Sequence, residues 1–185
     1  MTDEGSVAGK LVVASPALTD PNFNRAVVFV IRHDEEGAFG LVINRPLDEV
    51  FVQDHLPEWS TRAAHPPVVF RGGPVDPSVA FALGRFPENA VPPDESLLPG
   101  VAVVDLGAAE SPPESLEALR IFSGYAGWGA GQLEGELKES AWFVVDARPF
   151  DLFSDDPDSL WRGVLKRQRG PLAMFAHFPA NPSHN

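Results

Sequence analysis

The chain has 185 residues, 14 Lys+Arg against 26 Asp+Glu for a formal net charge of -12, a hydrophobic fraction of 44% and no cysteine. That length fits one domain and buries roughly 70% of the surface an unfolded chain exposes, so no disulfide or metal is needed to hold a core. The composition excludes cysteine nucleophiles and thiolate metal centres, the charge argues against a phosphate backbone as partner, and the longest apolar run, Ala26 to Ile31, falls far short of the ~20 residues of a membrane span. The opening residues have neither a basic start nor an apolar core, unlike a secretory leader. The expectation is a cytoplasmic single domain over 1–185, with 1–8 and 171–185 flexible or peripheral and no membrane contact.

Leu11-Val12-Val13-Ala14, between Gly9 and Ser15-Pro16, predicts a buried strand. Asp20-Pro21-Asn22-Phe23-Asn24 predicts a turn, with Asp at a capping position and Pro after it. Ala26 to Arg32 and Phe39 to Asn44 read as a hairpin whose tip is His33 to Gly37. Asp48 would cap a short helix carrying Val50, Phe51 and Leu56 and closed by Pro57, with a loop from Glu58 to Pro67. Val68-Val69-Phe70 is a strand broken by Gly72-Gly73-Pro74, and Ser78 to Arg85 pairs with a neighbour. Pro87 to Pro99 is an exposed loop, Val101 to Asp105 a strand, and Glu114 to Leu119 a short helix. Arg120 to Ser123 is a strand running into a Gly-rich turn, Gly124 to Gly131. A helix follows from Gln132 to about Ser140, burying Leu133 and Leu137 and pairing Glu134 with Lys138 outside. After a strand at Trp142 to Asp146 comes the best-marked helix, with Asp156 as N-cap, Pro157 in its first turn and Gly170-Pro171 at its end. It buries Leu160, Trp161, Val164 and Leu165, and Lys166, Arg167 and Arg169 offset the negative end of its dipole in preference to contacting DNA. Strands and helices mix without strict alternation, which predicts α+β with a mostly antiparallel or mixed sheet.

The Gly-rich segment has two readings: a tight turn plugged by Tyr125 and Trp128, or a backbone anion site at a helix start. A P-loop requires Lys-Ser/Thr after its last glycine, where this chain has Gln132-Leu133, and G-x-G-x-x-G fails because Gln132 or Glu134 stands in the last position. Ser123 lies between Phe122 and Gly124, outside a G-x-S-x-G elbow. The five histidines, His33, His55, His65, His177 and His184, show no ligand spacing, and His33-Asp34-Glu35-Glu36 reads as a solvated acidic tip. No catalytic residue, metal or cofactor is expected. Asn22, Arg25, Asn44 and Arg45 flank the hairpin strands, where side-chain hydrogen bonds close strand ends, and Arg25 is expected to pair with Asp20 or a neighbouring carboxylate. With Gly72, Gly73, Tyr125 and Trp128 they form the candidate ligand site.

The opening Leu11-Val-Val-Ala-Ser-Pro-Ala-Leu-Thr-Asp-Pro-Asn-Phe-Asn-Arg-Ala-Val-Val-Phe, then Gly37-Ala-Phe-Gly-Leu-Val-Ile-Asn-Arg-Pro46, Gly72-Gly73-Pro74-Val75, Gly124-Tyr-Ala-Gly-Trp-Gly-Ala-Gly-Gln-Leu-Glu134 and Ala141-Trp142 follow one another in an order that resembles the YqgE/AlgH family of bacterial proteins. The resemblance implies one compact α+β domain with a strongly bent, split sheet like an open barrel and helices packed outside. It implies no catalytic residue or cofactor, and its members are often labelled transcriptional regulators. Where the family pattern runs to a Leu-His pair this chain has Leu83-Gly84, so no role for that histidine carries over. The function expected is a non-enzymatic regulatory or adaptor protein that binds a protein or small ligand. The alternatives are an enzyme with its site near the two Gly-rich turns and a transcriptional regulator; direct nucleic-acid binding is not expected.

Overall fold

Leu11, Val12, Val13 and Ala14 are all fully shielded from solvent, which a strand achieves only inside a sheet covered on both faces. In the computed structural model, which describes residues 5–180, this segment is β1 (Lys10–Ala14), between β2 (Val27–Asp34) and β9 (Trp142–Asp146), both antiparallel to it. The other strands are β3 (Gly37–Val42), β4 (Pro46–Phe51), β5 (Val68–Arg71), β6 (Val75–Arg85), β7 (Val101–Val103) and β8 (Ala118–Gly129). They form a mixed sheet in the order β4-β5-β8-β3-β2-β1-β9, with β6 also alongside β8 and β7 on β6. The pair β5–β8 is parallel and the sheet does not close. The helices are short: α1 (Val52–His55), α2 (Pro57–Ser60), α3 (Gln132–Lys138), α4 (Pro149–Leu152), α5 (Leu160–Lys166) and α6 (Leu172–Phe175). The fold is α+β, as the sequence predicts.

Strand β8 belongs to both halves of the sheet. Its first half pairs with β5 and β6, and its second half with β3. Between them Gly124 has φ +71, a left-handed conformation that glycine adopts without a Cβ clash. It reverses the pleat. Before it, Ala118 and Phe122 point into the central core with Phe29, Phe70 and Trp161, while Leu119 and Ile121 face an outer layer with Trp59 and Leu116. After it, Tyr125 turns to the central core, and Ala126 and Trp128 face a second outer layer with Leu133 and Trp142. Helix α5 seals the central core with Leu160, Trp161, Val164 and Leu165, each worth on the order of 1.5–3 kcal/mol of burial.

Several elements differ from the sequence-based expectation. Of the helix expected from Asp48 to Pro57, residues up to Phe51 belong to β4 on β5, only Val52–His55 is helical, as α1, and Pro57 opens α2, since a fixed φ and a missing N–H suit the first helical turn. No helix forms over 114–119: Ala118 and Leu119 are already paired with Arg85 and Gly84. The expected turn from Gly124 is strand as far as Gly129, and only Ala130-Gly131 turns into α3. Strand β2 runs through His33, which is buried and is no solvated tip. Arg167 does more than offset a dipole, making a bidentate ion pair to the fully buried Asp151 of α4. At the two ends of the described chain Val7 and Ala176 are buried and Leu172 and Phe175 pack on the central core, while most of their neighbours are exposed or partly exposed. The parts of the expected flexible ends at 1–4 and 181–185 lie outside the described residues.

Candidate functional site

The two glycine-rich segments meet. Gly72 and Gly73 cross β8 so closely that a Cβ on Gly72 would lie 2.3 Å from the Gly124 carbonyl oxygen, and one on Gly73 would lie 2.1 Å from the Tyr125 carbonyl carbon. The crossing is pinned by backbone bonds from Gly72 N–H to Ser123 O (2.9 Å), Val42 N–H to Gly72 O (2.8 Å) and Arg71 N–H to Arg45 O (2.7 Å). Gly73 and Pro74 then form one wall of a cavity of about 170 Å³, whose other walls are Pro21, Asn22, Val42, Arg45 and Arg71.

The opposite wall is the turn 20–25, held from several sides. Asp20 Oδ1 accepts the Asn22 N–H at 2.8 Å, the Asx arrangement that short Asp side chains favour. Asn44 bridges the turn to β2: its Nδ2 donates to Arg25 O and its Oδ1 accepts from Val27 N–H, both at 2.9 Å. Arg45 donates to Pro21 O at 3.0 Å and to Asn24 O at 2.6 Å. Arg25 has φ 56, which costs a non-glycine residue about 1–3 kcal/mol. Phe23, at the apex, packs against Trp128 and Trp142 with ring centroids 6.3 and 5.5 Å away.

The charges around this turn are unusual for an acidic chain. Arg45 is half-buried; burial, and after it the charge of Arg71, lowers its pKa. Arg71 is exposed and its guanidinium has no hydrogen bond or ion pair among the described residues. Arg25 does not pair with Asp20 or another carboxylate. Its guanidinium donates to Phe178 O at 2.6 Å and lies 4.4 Å over the Trp161 ring, and its pKa is lowered by burial and by Arg162.

Of the eight residues singled out in the sequence, the cavity itself is lined by Asn22, Arg45 and Gly73. Asn44 and Gly72 stand behind its walls as braces. Arg25 points to the far side of the turn. Tyr125 lies between Phe39 and Phe81, with centroids 4.8 and 5.8 Å away. Trp128 is buried and donates its indole N–H to Glu136 at 2.9 Å, where Trp142 donates to the same oxygen at 2.8 Å. Arg71, which was not singled out, completes the polar lining of the cavity. The signal for Arg71 was its place directly before Gly72-Gly73, at the end of a strand.

Other polar side chains take part in holding the fold together. His33 accepts the Val7 N–H at Nδ1 (3.1 Å), which leaves Nε2 to donate to Glu134 (3.1 Å). Glu134 thus serves His33 more closely than Lys138, and its pKa is lowered first by its own backbone N–H and then by His33. Arg120 is 2% exposed, with its guanidinium 4.1 Å over Phe70, and donates to Ser154 O and His65 O; burial lowers its pKa to about 10. Broader hollows of about 440, 500 and 520 Å³ lie beside α2 and the 61–65 loop, and none gathers the residues singled out in the sequence. Among the described residues no group of three or more His, Asp or Glu is placed to hold a metal ion, and no helix is long and apolar enough to cross a membrane.

Known proteins resemble the whole chain. The family model described as AlgH-like matches residues 11–173. The UPF0301 protein SCO2948 of Streptomyces coelicolor is 50% identical over 194 residues, covering 100% of this chain and 98% of that protein. A UPF0301 protein of Thermobifida fusca is 42% identical over 198 residues, covering 99% and 98%. Among solved structures, the crystal structure of DIP2367 from Corynebacterium diphtheriae superposes with a TM-score of 0.84 at 29% identity, over 96% of this chain and 95% of that one. The solution structure of the AlgH protein from Pseudomonas aeruginosa gives a TM-score of 0.66 at 29% identity, over 97% of each chain.

Proposed function

This chain belongs to the AlgH-like family, and from that premise we propose that it is a non-enzymatic regulatory or adaptor protein that works by holding a small ligand in the cavity between Arg45 and Gly73. One observation carries the reading: the fold spends two glycines at a backbone crossing and a strained, four-times-braced turn on shaping a single small cavity. Strain retained in a folded chain clusters where a precise shape is used. The lining supports holding over transforming. Arginine donates hydrogen bonds and stays protonated, and Asn22 offers an amide. A ligand there would act on the rest of the molecule through Phe23, which joins the cavity wall to the Trp128–Trp142 layer.

The test is a ligand-observed NMR screen of a chemically mixed metabolite library against the full chain, with hits mapped on the labelled protein. The expected result is at least one compound that shifts Asn22, Arg71 and Gly73 together and leaves the tube unchanged chemically. A library in which no compound perturbs that group overturns the reading. A hit that is consumed makes the protein an enzyme.

A further inference from the structure

Resting on the ligand reading above, we infer that the occupant of this cavity is a small oxyanion, a carboxylate or phosphate group clasped between the guanidinium groups of Arg45 and Arg71. In a chain with 26 Asp+Glu against 14 Lys+Arg, the expected neighbour of an arginine is a carboxylate. The cavity lining has two arginines and no acidic residue. The acid next to it along the turn, Asp20, turns an oxygen to the Asn22 N–H and pairs with neither arginine. Guanidinium groups gathered this way make a local positive field within a negative molecule, which draws small anions to it.

The two arginines are complementary in state. Two of the five N–H donors of Arg45 are committed to Pro21 O and Asn24 O, and these fix the plane of the group and leave the others to point elsewhere. Arg71 has no partner among the described residues. A fixed fork beside an uncommitted one suits a bidentate oxyanion, because only one side chain loses freedom on binding. The repulsion that depresses the Arg45 pKa through Arg71 is the interaction a bound anion would relieve. Size limits the ligand. A cavity near 150 Å³ admits benzene, so about 170 Å³ takes a single anionic group with a few further atoms. A nucleic-acid duplex or a folded peptide does not enter it.

The experiment is a titration of the full, ¹⁵N-labelled chain with inorganic phosphate, sodium acetate and, as a neutral comparison, glycerol, at constant ionic strength set with sodium chloride. The amide signals of Asn22, Arg71 and Gly73 and the Arg45 Nε–H are followed. Saturable shifts with phosphate or acetate, weakened at least tenfold in Arg71→Gln, are expected, and whichever anion binds more tightly identifies the phosphate or carboxylate source. Arg45→Gln removes two bonds to the turn and risks the fold, so Arg71→Gln, exposed and unpartnered, is the deciding variant, with its melting midpoint as control. Shifts that do not saturate, or that survive unchanged in Arg71→Gln, overturn the oxyanion inference. If neutral library compounds bind the cavity while phosphate and acetate do not, the inference falls and the ligand reading stands. If nothing binds, both fall.

Discussion

Glu136 shows how much one side chain can organise. A single carboxylate oxygen accepts the indole N–H of both Trp128 and Trp142, at 2.9 and 2.8 Å, and its second oxygen accepts Gln132 Nε2 at 3.0 Å. The two rings meet edge to face, with centroids 5.8 Å apart, and are 6% and 3% exposed. Truncation would therefore strand two buried donors, each at roughly 1–3 kcal/mol. Glu136→Ala should lose about 2–4 kcal/mol in a urea titration on that basis, and Glu136→Gln, which keeps an acceptor oxygen, should recover most of it. Equal midpoints for all three proteins would mean that the indoles find other partners. Nothing in the sequence marked this residue: a glutamate on an exposed-looking helix reads as solvent-facing, and the tryptophans that use it lie eight residues before and six residues after it, on different strands.

At the scale of elements, β8 separates what local pattern carries from what it does not. The glycines of its second half look like turn formers, yet Gly127 and Gly129 lie in extended backbone, and a Cβ on Gly129 would meet nothing nearer than Gln132 Oε1 at 4.0 Å. Gly124 is the position that requires glycine. A Cβ there would lie 2.7 Å from Gly73 O and 2.8 Å from Val75 O, on a backbone at φ +71. Gly124→Ala should lose roughly 1–3 kcal/mol from the backbone conformation alone, with crowding added, whereas Gly129→Val should stay near wild type because β-branched residues suit strands. Matched denaturation curves check both; a Gly129→Val as damaging as Gly124→Ala would sink the distinction. The same strand explains the limits of the sequence. β1, β2, β3, β9 and the buried face of α5 were legible because their apolar runs and caps are local. The pleat reversal at Gly124 was not, because the alternation is regular on either side and only the change of partner strands reveals the phase slip. β4 and the start of β8 were mistaken for helix because short apolar runs lack a decisive period until their pairing partners are known. Within the site, Arg45 and Gly73 were found from their motifs, while Trp128 shared the Gly-rich stretch with Gly124 but points to the opposite layer.

The molecule as a whole carries a formal charge of -12, a balance that disfavours polyphosphate at long range. Fluorescence anisotropy with random and genomic duplexes at physiological salt should detect no sub-micromolar binding, and a sequence-selective complex would contradict this. The shared strand β8 also dictates an order of events during synthesis. It begins at Ala118, after β1 to β7, and supplies the missing neighbour of β3, β5 and β6. At about 5–20 residues per second a ribosome takes on the order of ten seconds to reach it, and over that interval three strands present bare hydrogen-bonding edges, the surfaces on which chains aggregate. Both halves of the sheet wait on this strand, and the half that holds β1 waits further for β9. The nascent chain must be kept apart from its neighbours until these late segments arrive.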